Sequence, residues 1–104
     1  PLVLPLSAGT TNGILFVETL RALKKDFPEA KTISGLSNIS FGLPKRSWIN
    51  QSFLVLSLAA GMDAAIMNPM DNKLIALAKS TEALLNKDTF CMKYIEAFRS
   101  GILG

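Results

Sequence analysis

Apolar and polar residues follow one another along this chain in short buried runs separated by longer stretches of helical period. Residues 2–7 are apolar with little alternation, as expected of a strand covered on both faces in a parallel sheet. A small polar loop, Ser7-Ala8-Gly9-Thr10-Thr11-Asn12, follows, and Thr11 or Asn12 is placed to cap the next helix. In that helix Phe16, Leu20, Leu23 and Phe27 form one stripe, which Pro28 ends. Residues 32–36 predict a second short buried strand, and residues 37–44 the loop that leaves its carboxyl end. Ser47 is a suitable cap for a helix to residue 60, with Ile49, Phe53, Leu56 and Ala60 on one face and Gly61 as the left-handed residue that ends it. Residues 63–68 predict a third strand, closed by Pro69. Asp71 caps a helix to about residue 85 with Leu74, Leu77, Ala78, Leu84 and Leu85 as its buried stripe, and Asp88 caps a last helix over 89–99 with Phe90, Tyr94, Ala97 and Phe98 on one face.

Strand and helix thus recur at roughly 30 residues, the period of a βαβ array. Right-handed crossovers put the three strand ends on one side, so Ser7, Asn38 and Asn68 are expected to converge there. Ligands of α/β proteins bind at that side. Three strands cannot close a barrel, and their open edges favour dimerisation or strand exchange.

Composition narrows the chemistry. At 104 residues and 11.2 kDa the chain has room for a single unit, 1–104, and with 49% hydrophobic residues it is too apolar for disorder. The net charge of +3 is spread along the chain without interleaved aromatics, so no nucleic-acid footprint is visible. One cysteine and no histidine argue against a disulfide, a metal site and histidine-based nucleophilic catalysis. The most apolar window, residues 53–67, is broken by Ser57, Gly61 and Asp63 and falls short of the ~20 residues of a membrane span. No signal peptide is visible, and a reducing cytoplasm is the expected setting.

Two motifs carry more. The run Gly35-Leu36-Ser37-Asn38-Ile39-Ser40-Phe41-Gly42-Leu43-Pro44, with "AAGMDAAIMNP" after the next helix, resembles the late portion of the pterin-binding (β/α)8 barrel of methyltetrahydrofolate:corrinoid methyltransferases. That group includes a domain of cobalamin-dependent methionine synthase, with dihydropteroate synthase as a more distant relative. The resemblance implies the last three strand-helix units of a TIM barrel, with parallel strands and an extra C-terminal helix. The run "PLVLP" at the start matches a place that the family precedes with a pterin-contacting aspartate, so the chain is expected to be the carboxyl-terminal part of a barrel of about 250 residues. Alone it is expected to be inactive.

The same resemblance implies transfer of the N5 methyl of 5-methyltetrahydrofolate to the cobalt of a corrinoid (cobalamin) held on a partner protein or domain. It also implies a homodimer, and neither a membrane nor a nucleic-acid partner. Asn38 is the catalytic candidate, because the family's asparagine at this place hydrogen-bonds near N5. Residue type alone leaves open that it only caps its loop through an Asx turn. Ser7, Asn38, Ser40, Phe41 and Asn68 are the substrate-binding candidates. Phe41 departs from relatives with a polar residue there, and Asn68 stands where several carry aspartate. Lys45 and Arg46 read as a solvated pair that could also meet the acidic folate tail, Trp48 as a lid over the core, and Cys91 as a packing residue. The competing readings are a dihydropteroate synthase-like enzyme and a non-catalytic module binding through strand edges. The first expects a basic residue at a strand end, where this chain has "SNISF" and "MNPMD".

Overall fold

The computed structural model of the chain describes residues 3–68 and 70–103, so Pro1, Leu2 and the strand-closing Pro69 lie outside the described residues. Among the described residues four α-helices, α1 (Asn12–Asp26), α2 (Arg46–Ala59), α3 (Asn72–Leu84) and α4 (Met92–Arg99), accompany two strands, β1 (Ile33–Gly35) and β2 (Ala64–Ile66). The strands pair in parallel with Ile33 opposite Ala64 and Gly35 opposite Ile66, and α2 is the crossover between them. The whole measures 40 × 36 × 17 Å, a slab about two layers deep.

One layer is the sheet and the other is helical. Thr32, Ser34 and Leu36 alternate inward, and Leu36 belongs to a core cluster with Phe16, Val17 and Leu20 of α1, Phe53, Leu54 and Leu58 of α2, and Leu74 and Ala78 of α3. The Phe16 and Phe53 rings lie 5.1 Å apart at 52°, a tilted pair that locks α1 to α2. The opposite face of the sheet is bare: Ile33 is 57% and Ile66 64% exposed. The sequence reading of residues 32–36 as a buried strand therefore holds for one face only.

At the amino ends of the strands Asp63 ties three elements. Its Oδ2 accepts from Lys24 Nζ at 2.7 Å, from the Thr32 backbone N–H at 2.8 Å and from the Thr32 hydroxyl at 3.4 Å, while Lys24 Nζ also donates to the Ala30 carbonyl at 2.8 Å. The Lys24 ammonium, donating directly to the carboxylate, holds Asp63 below its ordinary pKa of 3.8, with the Thr32 N–H adding to the effect against partial desolvation.

The first predicted strand is not formed among the described residues. Residues 3–5 lie outside any strand ladder, and Leu6–Ala8 make a 3₁₀ turn. Pro5 has no N–H to give a ladder, and the Val3 carbonyl is taken by the Asn38 side chain. The helix starts shift as well. Lys45, at φ 50°, precedes α2, so Ser47 falls inside the first turn and caps nothing. Asp71 caps α3 as expected, its Oδ1 accepting from Leu74 N–H at 3.2 Å, and Gly61 takes φ 113° after α2. Asp88 caps α4 from a distance, its two oxygens accepting from Lys93 and Tyr94 N–H at 3.0 Å across an intervening 3₁₀ turn, Thr89–Cys91. These N–H groups hold the Asp88 carboxyl below its ordinary value. Only part of each predicted stripe is covered: Leu56, Leu84, Phe90 and Phe98 are exposed. Cys91 is exposed rather than packed.

Candidate functional site

The carboxyl end of β1 runs through Leu36 into a single 3₁₀ turn, Ser37–Ser40. With about three residues per turn, Leu36 and Ile39 share one side and are buried, which leaves Ser37 and Asn38 facing outward. Backbone bonds continue the turn: Ile39 N–H to Leu36, Phe41 N–H to Asn38 and Leu43 N–H to Ser40 carbonyls, at 3.2, 3.2 and 3.0 Å. Gly42, at φ 80°, then reverses the chain, a conformation that disfavours any side chain.

Beside this turn lies a hollow of about 290 Å³, lined by Val3, Ser34, Gly35, Leu36, Ser37, Asn38 and Ile66. Asn38 contributes an anchored amide. Its Nδ2 donates to the Val3 carbonyl at 2.6 Å, and Oδ1 accepts no hydrogen bond among the described residues. An amide held by one N–H keeps a second N–H and a carbonyl oxygen for a ligand. A second, mainly apolar groove of about 240 Å³, lined by Leu6, Gly13, Ile14, Val17, Ile39, Ile49, Ser52, Phe53 and Leu56, lies between α1 and α2, with the Ser52 hydroxyl the one polar side chain in that lining.

The other sequence candidates take different places. Ser40 is fully buried behind the turn. Arg46 Nε donates to its hydroxyl oxygen at 2.8 Å, the Ser37 carbonyl lies 3.0 Å away and the Asn50 side-chain amide 2.7 Å. A hydroxyl has one proton, so the count balances when that proton goes to Ser37 and the Asn50 amide turns its NH₂ toward Ser40. Ser7 Oγ donates to the Phe41 carbonyl at 2.8 Å, tying the first loop to the second, and the Phe41 ring is 61% exposed. Asn68 is exposed beyond β2, its Oδ1 accepting from Met70 N–H at 3.0 Å, and is not among the residues lining the hollow. The structure thus brings Asn38 together with Val3 and Ile66, while Ser7 and Phe41 form a neighbouring pair and Asn68 stands apart.

Arg46, which the sequence reads as half of a solvated pair, is instead bound to the turn. Besides its bond to Ser40, its Nη2 donates to the Ser37 carbonyl at 2.6 Å. Lys45, its neighbour in the presumed solvated pair, makes no such contact among the described residues. The one signal in the sequence was spacing: an arginine just past a turn closed by Gly42 and Pro44 is within reach of the turn's carbonyls.

No charged side chain lines the hollow. Among the described residues no cluster of three or more histidine, cysteine or acidic side chains is placed to hold a metal ion, and no helix is long and apolar enough to cross a membrane.

No protein-family model matches the chain. Over all 104 of its residues the chain is 40% identical to the methylcorrinoid:tetrahydrofolate methyltransferase of Eubacterium limosum, of which it spans 38%. Over 59 residues, 55% of the chain, it is 46% identical to the methionine synthase of Mycobacterium tuberculosis and 44% identical to that of Mycobacterium leprae, spanning 5% of each. The resemblance drawn from the two motifs is therefore borne out: the chain is a relative of these methyltransferases and corresponds to a part of their length.

Proposed function

We propose that this chain forms part of a methyltransferase that moves a methyl group between N5 of tetrahydrofolate and the cobalt of a corrinoid carried on a separate protein or domain. In the direction read from the sequence, the N5–CH₃ bond breaks, cobalt(I) supplies the electron pair of the new Co–CH₃ bond, and N5 keeps its own pair and takes a proton. The full-length relative is named for the opposite direction, from methylcorrinoid to tetrahydrofolate. The same groups serve both directions, because forward and reverse reactions share one transition state.

The observation that carries the proposal is Asn38: an amide fixed at a strand end, lining a hollow, with Oδ1 uncommitted. N5 of methyltetrahydrofolate is a tertiary amine and a poor leaving group, so the reaction needs a partner for the charge and proton that develop there. Asn38 Oδ1 can accept from protonated N5, and the remaining Nδ2–H can donate to unprotonated N5, without a fixed charge beside the ring. Ser7 and Ser40 serve this site by holding its loops, Phe41 offers an exposed ring to a ligand at the rim, and Asn68 would reach a ligand only at the edge of β2.

The wider fold on this reading is the last three strand-helix units of a (β/α)8 barrel plus a C-terminal helix. The bare sheet face with Ile33 and Ile66 then corresponds to the barrel interior. Among the described residues no carboxylate lines the hollow. The working enzyme is expected to be a cytoplasmic homodimer, and residues 1–104 alone to be inactive. The names of the relatives favour methyl transfer over dihydropteroate synthesis.

The test is methyl transfer between methyltetrahydrofolate and cob(I)alamin by the full-length protein and its Asn38→Ala variant, run in both directions. The expected outcome is a loss of about 10²- to 10³-fold in kcat, the range for removing one charge-stabilising donor. Binding is followed separately by quenching of Trp48 fluorescence with methyltetrahydrofolate. An unchanged rate in the variant removes Asn38 from the reaction.

A further inference from the structure

We propose that Arg46 is a positioning residue for Asn38, acting by gripping the 3₁₀ turn on both sides of it. The inference rests on the reading of Asn38 given above. The guanidinium donates through Nη2 to the Ser37 carbonyl at 2.6 Å and through Nε to the Ser40 hydroxyl at 2.8 Å, so its fork spans the turn that presents Asn38. Ser40 is fully buried, and its hydroxyl is further held by Asn50 on α2 at 2.7 Å. The far side of the turn is pinned by Leu36 and Ile39 in the core. The Asn38 side chain is then fixed by the Val3 carbonyl. The turn that presents Asn38 is thus held from Arg46 on one side and from the core on the other.

The chain arranges for this grip. Gly42 at φ 80° turns the loop back, and Lys45 at φ 50° sets the start of α2 so that Arg46, its first residue, reaches the turn six to nine residues earlier. Only arginine has a planar fork that can meet a carbonyl and a hydroxyl at once. A lysine would offer a single point charge. Arg46 is not one of the residues lining the hollow, so its effect on a bound folate passes through the turn.

The test uses the full-length protein with Arg46→Met, Arg46→Lys, Asn38→Ala and the Arg46→Met/Asn38→Ala double variant. Thermal melting establishes that each is folded. Arg46→Met is expected to lower kcat by roughly 10- to 100-fold, the scale of a small misplacement of a reacting group, with the KM for methyltetrahydrofolate within about twofold. Arg46→Lys should fall nearer to Arg46→Met than to wild type. The double variant should be no slower than Asn38→Ala alone, because a residue that acts through Asn38 has nothing to position once Asn38 is gone. The side-chain amide resonances of Asn38, read by NMR, should shift or broaden in Arg46→Met.

Multiplicative losses in the double variant, or Arg46→Lys matching wild type, overturn the proposal. So does an unmoved Asn38 amide. If Asn38→Ala retains full activity while its amide still responds to Arg46→Met, the positioning role stands and the assignment of Asn38 to N5 falls.

Discussion

Replacing Asp63 with alanine tests whether the lock at the amino ends of the strands carries a large share of the stability of this sheet. One carboxylate oxygen accepts three hydrogen bonds, from Lys24 Nζ at 2.7 Å, Thr32 N–H at 2.8 Å and Thr32 Oγ1 at 3.4 Å. Lys24 and Asp63 side chains are each 22% exposed, so their ion pair is screened and contributes at most about 1 kcal/mol. The Thr32 N–H matters more. Thr32 is buried, and a buried donor left without an acceptor costs about 1–3 kcal/mol. Together these give about 1–4 kcal/mol, and the middle of that range, about 2–3 kcal/mol, lowers Tm by roughly 10–20 °C for a chain of this size. Lys24→Met removes the ion pair and the Nζ bond to the Ala30 carbonyl but leaves the Thr32 N–H paired, and should lower Tm by less than Asp63→Ala does, roughly 5–10 °C.

The pH dependence follows from the direction of the shift. Asp63 is held below 3.8 in the folded chain by Lys24, so its stabilisation is fully present above the unfolded-state value and is lost as pH falls through the lowered folded-state value. Melts of wild type and Asp63→Ala, followed by circular dichroism, should therefore differ most near neutral pH and begin to converge as pH falls below about 4. A variant melting within about 2 °C of wild type at pH 7, a small fraction of the expected 10–20 °C, refutes the reasoning, as does a gap unchanged down to pH 3.

Two further substitutions check the packing. Ser57 is fully buried, and among the described residues its Oγ has no hydrogen-bond partner, so Ser57→Ala should leave stability unchanged or raise it by up to about 1 kcal/mol, read as a higher denaturant midpoint; a loss larger than that would mean the hydroxyl is paired. Gly61 sits at φ 113°, where an added Cβ would lie 2.5 Å from Lys24 Cγ, so Gly61→Ala should destabilise by roughly 1–3 kcal/mol, with Lys24→Ala in the same chain relieving the clash but not the backbone strain.

The sequence by itself determined the helices, two of the strands and the turn that follows the first of them. Period 3.6 marks α1, α2 and α3 because each must bury a stripe, and the short-range signals Asp71, Gly61 and Pro28 act within a few residues of themselves. Residues 32–36 and 63–68 gave the two strands that pair, and the run from Ser37 to Ser40 gave the turn beyond β1. What only the tertiary structure decided are contacts between residues far apart in the chain. Residues 2–7 read as a strand, but a strand exists only with a ladder partner, and among the described residues Val3 meets the Asn38 side chain instead. Leu84, Phe90 and Phe98 carry the pattern of a buried face, yet whether a face is covered depends on what packs against it. Arg46 reads as half of a solvated pair until the left-handed residue before α2 carries it back to Ser37 and Ser40. Local pattern records which residues prefer burial or a turn; it does not record which distant group arrives to meet them.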